Sequence, residues 1–167
     1  SGGGQLVVAG VTVAATAAEI DAVADVSTRL VNTTATVLSV TATQHAGKTV
    51  KVSSTSPIAI TLPAATGSGN EYTFRIDVVA TGTAHTIKVA NTADILAGFA
   101  IQATASTILV TNWLTTATDD TISVNGTTKG WLVGDKIVIV DVATARFHVE
   151  MIGGGSGTAA TPFSASV

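Results

Sequence analysis

The chain has 167 residues and a net charge of −3; 11 % of its residues are charged, 4 % are aromatic and none is cysteine. Its length allows one domain with a real core, and its charged share is less than half the roughly 25 % of an average soluble domain. With no basic stripe, no thiol and no uncharged apolar run near the ~20 residues of a membrane span, the sequence argues against nucleic-acid binding, disulfides, cysteine chemistry and membrane crossing.

The N-terminal stretch SGGGQLVVAGVTVAATAA is apolar but has no basic segment before it, so no signal peptide is expected. Ser1–Gly4 is a flexible lead, and Leu6–Val13 is a β-branched strand or arm broken by Gly10. Thr16-Ala17-Ala18-Glu19 has the spacing of a capping box, in which the Thr hydroxyl meets the N3 amide and the Glu reaches back. A helix is predicted from there through Ile20, Val23 and Ala24, too short to hold without other contacts. Residues 1–30 are therefore expected to form an arm with one short helix, and residues 31–167 a β-rich body.

From Arg29 the pattern alternates, as side chains on opposite faces of a strand require. Strands are predicted over Leu30–Val40 and Lys48–Ser53, with a turn at His45-Ala46-Gly47. The clearest stretch is Ile58–Val79. Ile58, Ile60 and Leu62 alternate with small or polar residues, as do Tyr72, Phe74, Ile76 and Val78, and a Pro- and Gly-containing loop joins the two runs. Thr86–Val89 is a short strand; Asn91–Gly98 is expected to be a loop; Phe99–Gln102 and Ser106–Val110 are extended. Thr121–Val124 runs into Asn125-Gly126, a type I′ hairpin signal. Lys136–Val142 and Arg146–Ile152 make a last hairpin, and Phe163–Val167 a short final strand. Some ten short strands with no fixed repeat predict an all-β fold: a β-sandwich, jelly roll or barrel.

No constellation for chemistry stands out. His45, His85 and His148 are far apart and lack metal-ligand spacing, so no metal and no cofactor are expected. Asp119-Asp120 is expected to be a solvated turn, since it lacks the pattern of a calcium loop. Glu71, Asp77, Asp135, Asp141 and Glu150 alternate with apolar residues and are expected to point outward, leaving no acid pair for glycoside hydrolysis. The glycine-rich segments are not followed by Lys-Ser or Lys-Thr and a helix, so they are not phosphate loops. No catalytic residue is expected. Trp113 and Trp131, both next to turns, either seal the ends of the core or anchor a contact with another chain.

Taken together, TAAEIDAVADVS (Thr16–Ser27), ITLPAATGSGNEYTF (Ile60–Phe74), IKVANTADILAG (Ile87–Gly98), DDTISVNGTTKG (Asp119–Gly130), GDKI (Gly134–Ile137) and GTAATPFSASV (Gly157–Val167) resemble tailed-bacteriophage structural proteins, in particular capsid decoration (cement) and head-fibre-like proteins. The likeness covers nearly the whole chain and departs from the pattern at Gly130–Val133, where Trp131-Leu132-Val133 stands in place of a second glycine. It implies a β-rich homotrimer on the exterior of the virion capsid. An N-terminal segment would meet the major capsid protein. Leu6, Val7, Val8, Val11, Val13 and Ile20, with Trp113 and Trp131, are the candidate capsid or inter-subunit contacts. Such a surface of hydroxyls and few charges can be covered by other subunits at small desolvation cost. The alternative is a fibre, spike or other receptor-binding module; the scarcity of aromatics counts against a sugar site.

Overall fold

The computed structural model describes residues 7–9, 11–12, 29–79, 84–105 and 109–167. In chain order these carry β1 (Val7–Val8), β2 (Val11–Thr12), β3 (Leu30–Thr33), β4 (Val37–Ser39), a one-turn helix α1 (Ala42–His45), β5 (Thr49–Val52), β6 (Ala59–Thr61) and β7 (Glu71–Ile76). There follow β8 (His85–Lys88), β9 (Ile95–Thr104), β10 (Leu109–Leu114), β11 (Thr121–Val124), β12 (Lys136–Ala143), β13 (Arg146–Gly155) and β14 (Phe163–Ser164). The protein is predominantly β. The capping box and the helix expected after Thr16 lie outside the described residues, as do Leu6, Gly10 and Val13.

Two mixed sheets make up the body. One has seven strands in the order β10-β9-β13-β12-β7-β5-β3, the other five in the order β14-β11-β8-β6-β4. The β9–β13 and β3–β5–β7 pairings are parallel, as are β4–β6–β8; the rest are antiparallel. β1 and β2 pair separately, with Val8 opposite Val11.

Alternation decides what is buried. In β7 the even positions Tyr72, Phe74 and Ile76 point inward while Glu71 and Arg75 are exposed. Ile137 and Ile139 of β12, Phe147, Val149 and Met151 of β13, and Val50 and Val52 of β5 do the same. From the five-stranded sheet, Ile60, Ile87, Ile122 and Val124 enter the same apolar cluster. Each such side chain contributes roughly 1.5–3 kcal/mol through its removal from water.

The single strand expected over Leu30–Val40 is two strands in different sheets. The chain breaks at Thr34-Ala35-Thr36, where the Ala35 amide donates to the Thr33 hydroxyl (3.3 Å) and the Ala59 amide to the Thr36 carbonyl (2.9 Å). A residue-by-residue alternation looks the same on either side of such a crossing, so the pattern did not reveal it.

The loop expected over Asn91–Gly98 ends early, because β9 begins at Ile95. Gly98 is a strand residue; a Cβ there would overlap the Val149 carbonyl oxygen, so glycine permits the close approach of β9 to β13. The Asn125-Gly126 pair does not make a hairpin either. β11 pairs with β8 and β14, and of the two residues only Gly126 has a positive φ (70°). Asn125 instead folds its own loop: its Oδ1 accepts from the amides of Thr127 (3.0 Å), Thr128 (2.8 Å) and Lys129 (3.1 Å). The last hairpin forms as expected, with β12 and β13 joined through Thr144 and an Ala145 at φ 61°.

Candidate interaction surface

The acids, expected at the surface, divide into two groups. Glu71, Asp77 and Glu150 are exposed. Asp135 and Asp141 are buried, and so are Asp119 and Asp120, which were expected in a solvated turn. The reason is local: each accepts at least one backbone N–H, which offsets the cost of burying its charge.

Asp141 shows this most fully. It reaches from β12 into the loop after β6. It accepts from the amides of Thr66 (3.0 Å), Gly67 (2.7 Å) and Ser68 (3.1 Å) and from the hydroxyls of Thr66 (3.0 Å) and Ser68 (2.6 Å). Burial alone would push its carboxyl up; the Ser68 hydroxyl and the Gly67, Ser68 and Thr66 amides outweigh that and hold it at about 2. Asp120 follows the same logic at the C-terminus. Burial opposes its charge, but the Ser166 amide, the Thr121 hydroxyl and the Val167 amide bring it below the ordinary range. At Asp135 burial wins and the carboxyl is raised, despite amides donated by Leu132 (2.9 Å), Trp131 (2.7 Å) and Gly154 (3.0 Å). Asp94 holds Ala65 (3.0 Å), and Asp119 holds Thr116 (2.6 Å). These carboxylates fasten loops to strands.

Of the histidines, His85 is buried, takes the Ile58 amide on Nδ1 (3.2 Å) and stacks on Trp131 with centroids 4.6 Å apart. His45 is buried at the end of α1, and His148 lies beside Glu150 (3.4 Å). Among the described residues, no group of three or more His, Asp or Glu side chains is arranged to hold a metal ion, and no helix is long and apolar enough to cross a membrane.

The described candidate contact residues lie on separate elements. Val7 and Val8 lie on β1 and Val11 on β2; Leu6, Val13 and Ile20 are outside the described residues. Trp131 is 1 % exposed, inside the core, and offers no surface to a partner. Its positive φ (86°) is held by the Asp135 carboxylate, which takes both its amide and that of Leu132. Trp113 is half-buried on β10, with one side against the core.

The sequence reading passed over the side chains around Trp113. Leu109, Val110 and Leu114 of β10 are 56 %, 65 % and 74 % exposed, and Ile152 of β13 is 56 % exposed. β10 forms one end of the seven-stranded sheet. A signal was present: Ile95–Thr118 contains no charged side chain, and Leu109-Val110 and Trp113-Leu114 place apolar residues on both faces of one strand. Leu30 of β3, at the opposite end of the seven-stranded sheet, and Val37 of β4, at one end of the five-stranded sheet, are also exposed. Comparison with protein-family models, curated proteins and solved structures finds no match.

Proposed function

We propose that the chain is a virion structural protein of a tailed bacteriophage, a capsid decoration (cement) protein. In this reading it sits as a homotrimer on the outside of the head and stabilises the assembled shell. Its two mixed sheets form a β-sandwich body, and residues 1–30 form the arm that meets the major capsid protein. The observation that carries the reading is the use of charge. The buried aspartates fasten loops, while large apolar side chains are left at the surface on β10 and β13. That is the arrangement of a molecule whose work is surface contact, and it agrees with the motif resemblance along the chain. Shell stabilisation would follow from mass action: contacts that exist only on the assembled head shift the equilibrium toward it.

The test is co-sedimentation with expanded phage heads. The full chain is expected to pellet with heads and to run as a trimer without them. Removal of Ser1–Thr28 is expected to abolish pelleting; unchanged binding would take the arm out of the mechanism. A full chain that ignores heads would sink the proposal.

A further inference from the structure

We infer that β10 and the outer face of its neighbours are the surface through which this chain packs against further copies of itself. The inference deepens the proposal of a homotrimer and rests on it for the number of copies.

The register defines the face. Leu114 lies opposite Phe99, and Phe99 opposite Glu150. Asn112 lies opposite Ile101, and Ile101 opposite Ile152; Val110 lies opposite Ala103. Directly opposed residues share a face of the sheet. Leu114, Phe99, Ile101, Ile152 and Val110 therefore stand on one side, with Asn112 between Val110 and Leu114 and Glu150 beside Phe99, while the alternate row of Trp113, Ala100 and Met151 faces the core. Phe99 and Ile101 are half-buried, and Val110, Leu114 and Ile152 are open to solvent. Several large apolar side chains gathered on one exposed face mark a contact surface.

The edge points the same way. Edge strands usually carry a lysine, a proline or a bulge that keeps other strands off. β10 (LVTNWL) has neither lysine nor proline, and its pairing with β9 runs unbroken from Leu109–Thr104 to Leu114–Phe99.

Charge selects the occupant. Around a rotation axis a residue near the axis meets its own counterpart, so a charged patch would repel itself. The two strands and their connection, Ile95–Thr118, have no ionisable side chain. A second copy meets no repulsion there, and an oppositely charged partner finds nothing to grip. On the β13 side the same face carries charge: Glu150 lies opposite Phe99, with His148 beside it, and Lys136 lies opposite Ile152, so these form a rim to the uncharged strands.

The experiment is sedimentation velocity on the full chain over a range of concentrations, comparing wild type with the double variant Val110→Lys/Leu114→Lys and with Val37→Lys on β4. Both sites are solvent-facing, and circular dichroism checks that each variant folds. The double variant is expected to weaken association roughly 100-fold or more, because two charges would be desolvated without partners, and Val37→Lys to leave it unchanged. As a second measurement, the chain has no cysteine, so Val110→Cys gives a single reporter. Its thiols should join two copies through a short bis-maleimide, while Val37→Cys should not.

Assembly that survives the double variant, with no cross-link at position 110, overturns the inference and leaves head binding to be judged separately. A wild-type monomer whose thiol at position 110 reacts only after residues 1–28 are removed assigns the surface to the chain's own N-terminus and overturns it. A wild-type monomer that shields this thiol only on heads assigns it to the capsid protein and also overturns it. Assembly through β10 in a protein that ignores heads upholds the inference and removes the decoration reading.

Discussion

Replacing Asp141 with asparagine removes one charge from the most heavily bonded side chain in the body. The carboxylate is 3 % exposed and holds the Thr66–Ser68 loop through three amides and two hydroxyls. Its descent from the ordinary 3.8 to about 2 corresponds to roughly 2 kcal/mol of folding stability. Because the folded value lies below the unfolded one, that stability is complete above about pH 5 and is lost as pH falls through about 4 toward 2. In Asp141→Asn one oxygen becomes an NH₂ group facing N–H donors, so at neutral pH the variant should be about 2–4 kcal/mol less stable. For a chain of this size that is a melting temperature lower by about 4–16 °C. Urea titrations of both proteins between about pH 7 and pH 2.5 measure it. Asp120 and Asp77 also have lowered values and steepen both curves, so the quantity to read is the gap between them. The gap should narrow as pH falls. Parallel curves would show that the Asp141 charge does not hold the loop.

Three further predictions concern packing. Gly98→Ala should prevent folding, at a cost above about 4 kcal/mol, because the new methyl would overlap the Val149 carbonyl between paired parallel strands; Ala103→Ser, exposed on the same strand, should be neutral. A soluble Gly98→Ala protein with native circular dichroism would refute the β9–β13 register. Trp131→Ala should cost about 3–5 kcal/mol. The single-tryptophan variants should separate in fluorescence: Trp113→Phe leaves the buried Trp131 and blue emission, and Trp131→Phe leaves the half-exposed Trp113 and redder emission. The reverse order would contradict the burial of Trp131 beside His85.

The candidate site was legible only in part. The Ile95–Thr118 run without charge was visible, but exposure was not, since Val110 and Ile101 are equally apolar in the sequence and differ in that Val110 stands on the end strand while Ile101 is flanked by strands on both sides. Trp131 illustrates the converse. A tryptophan beside glycines in a turn is as consistent with a protruding anchor as with a core residue. Burial came from a stacking partner, His85, that is 46 positions earlier in the chain.

Period-two alternation and turn residues were enough to locate most strands and their inward faces, because both are short-range consequences of the pleat and of backbone sterics. Tyr72, Phe74 and Ile76, or Ile137 and Ile139, are buried as their spacing demands. Which strands become neighbours is a long-range matter, and alternation carries no information about it. The passage of the chain between sheets at Thr34–Thr36 and the parallel contact of β9 with β13 therefore emerge only in three dimensions. The same holds for the aspartates. A carboxylate is placed outside by its cost of desolvation, unless distant amides converge on it, and the amides that hold Asp141 come from residues more than 70 positions away.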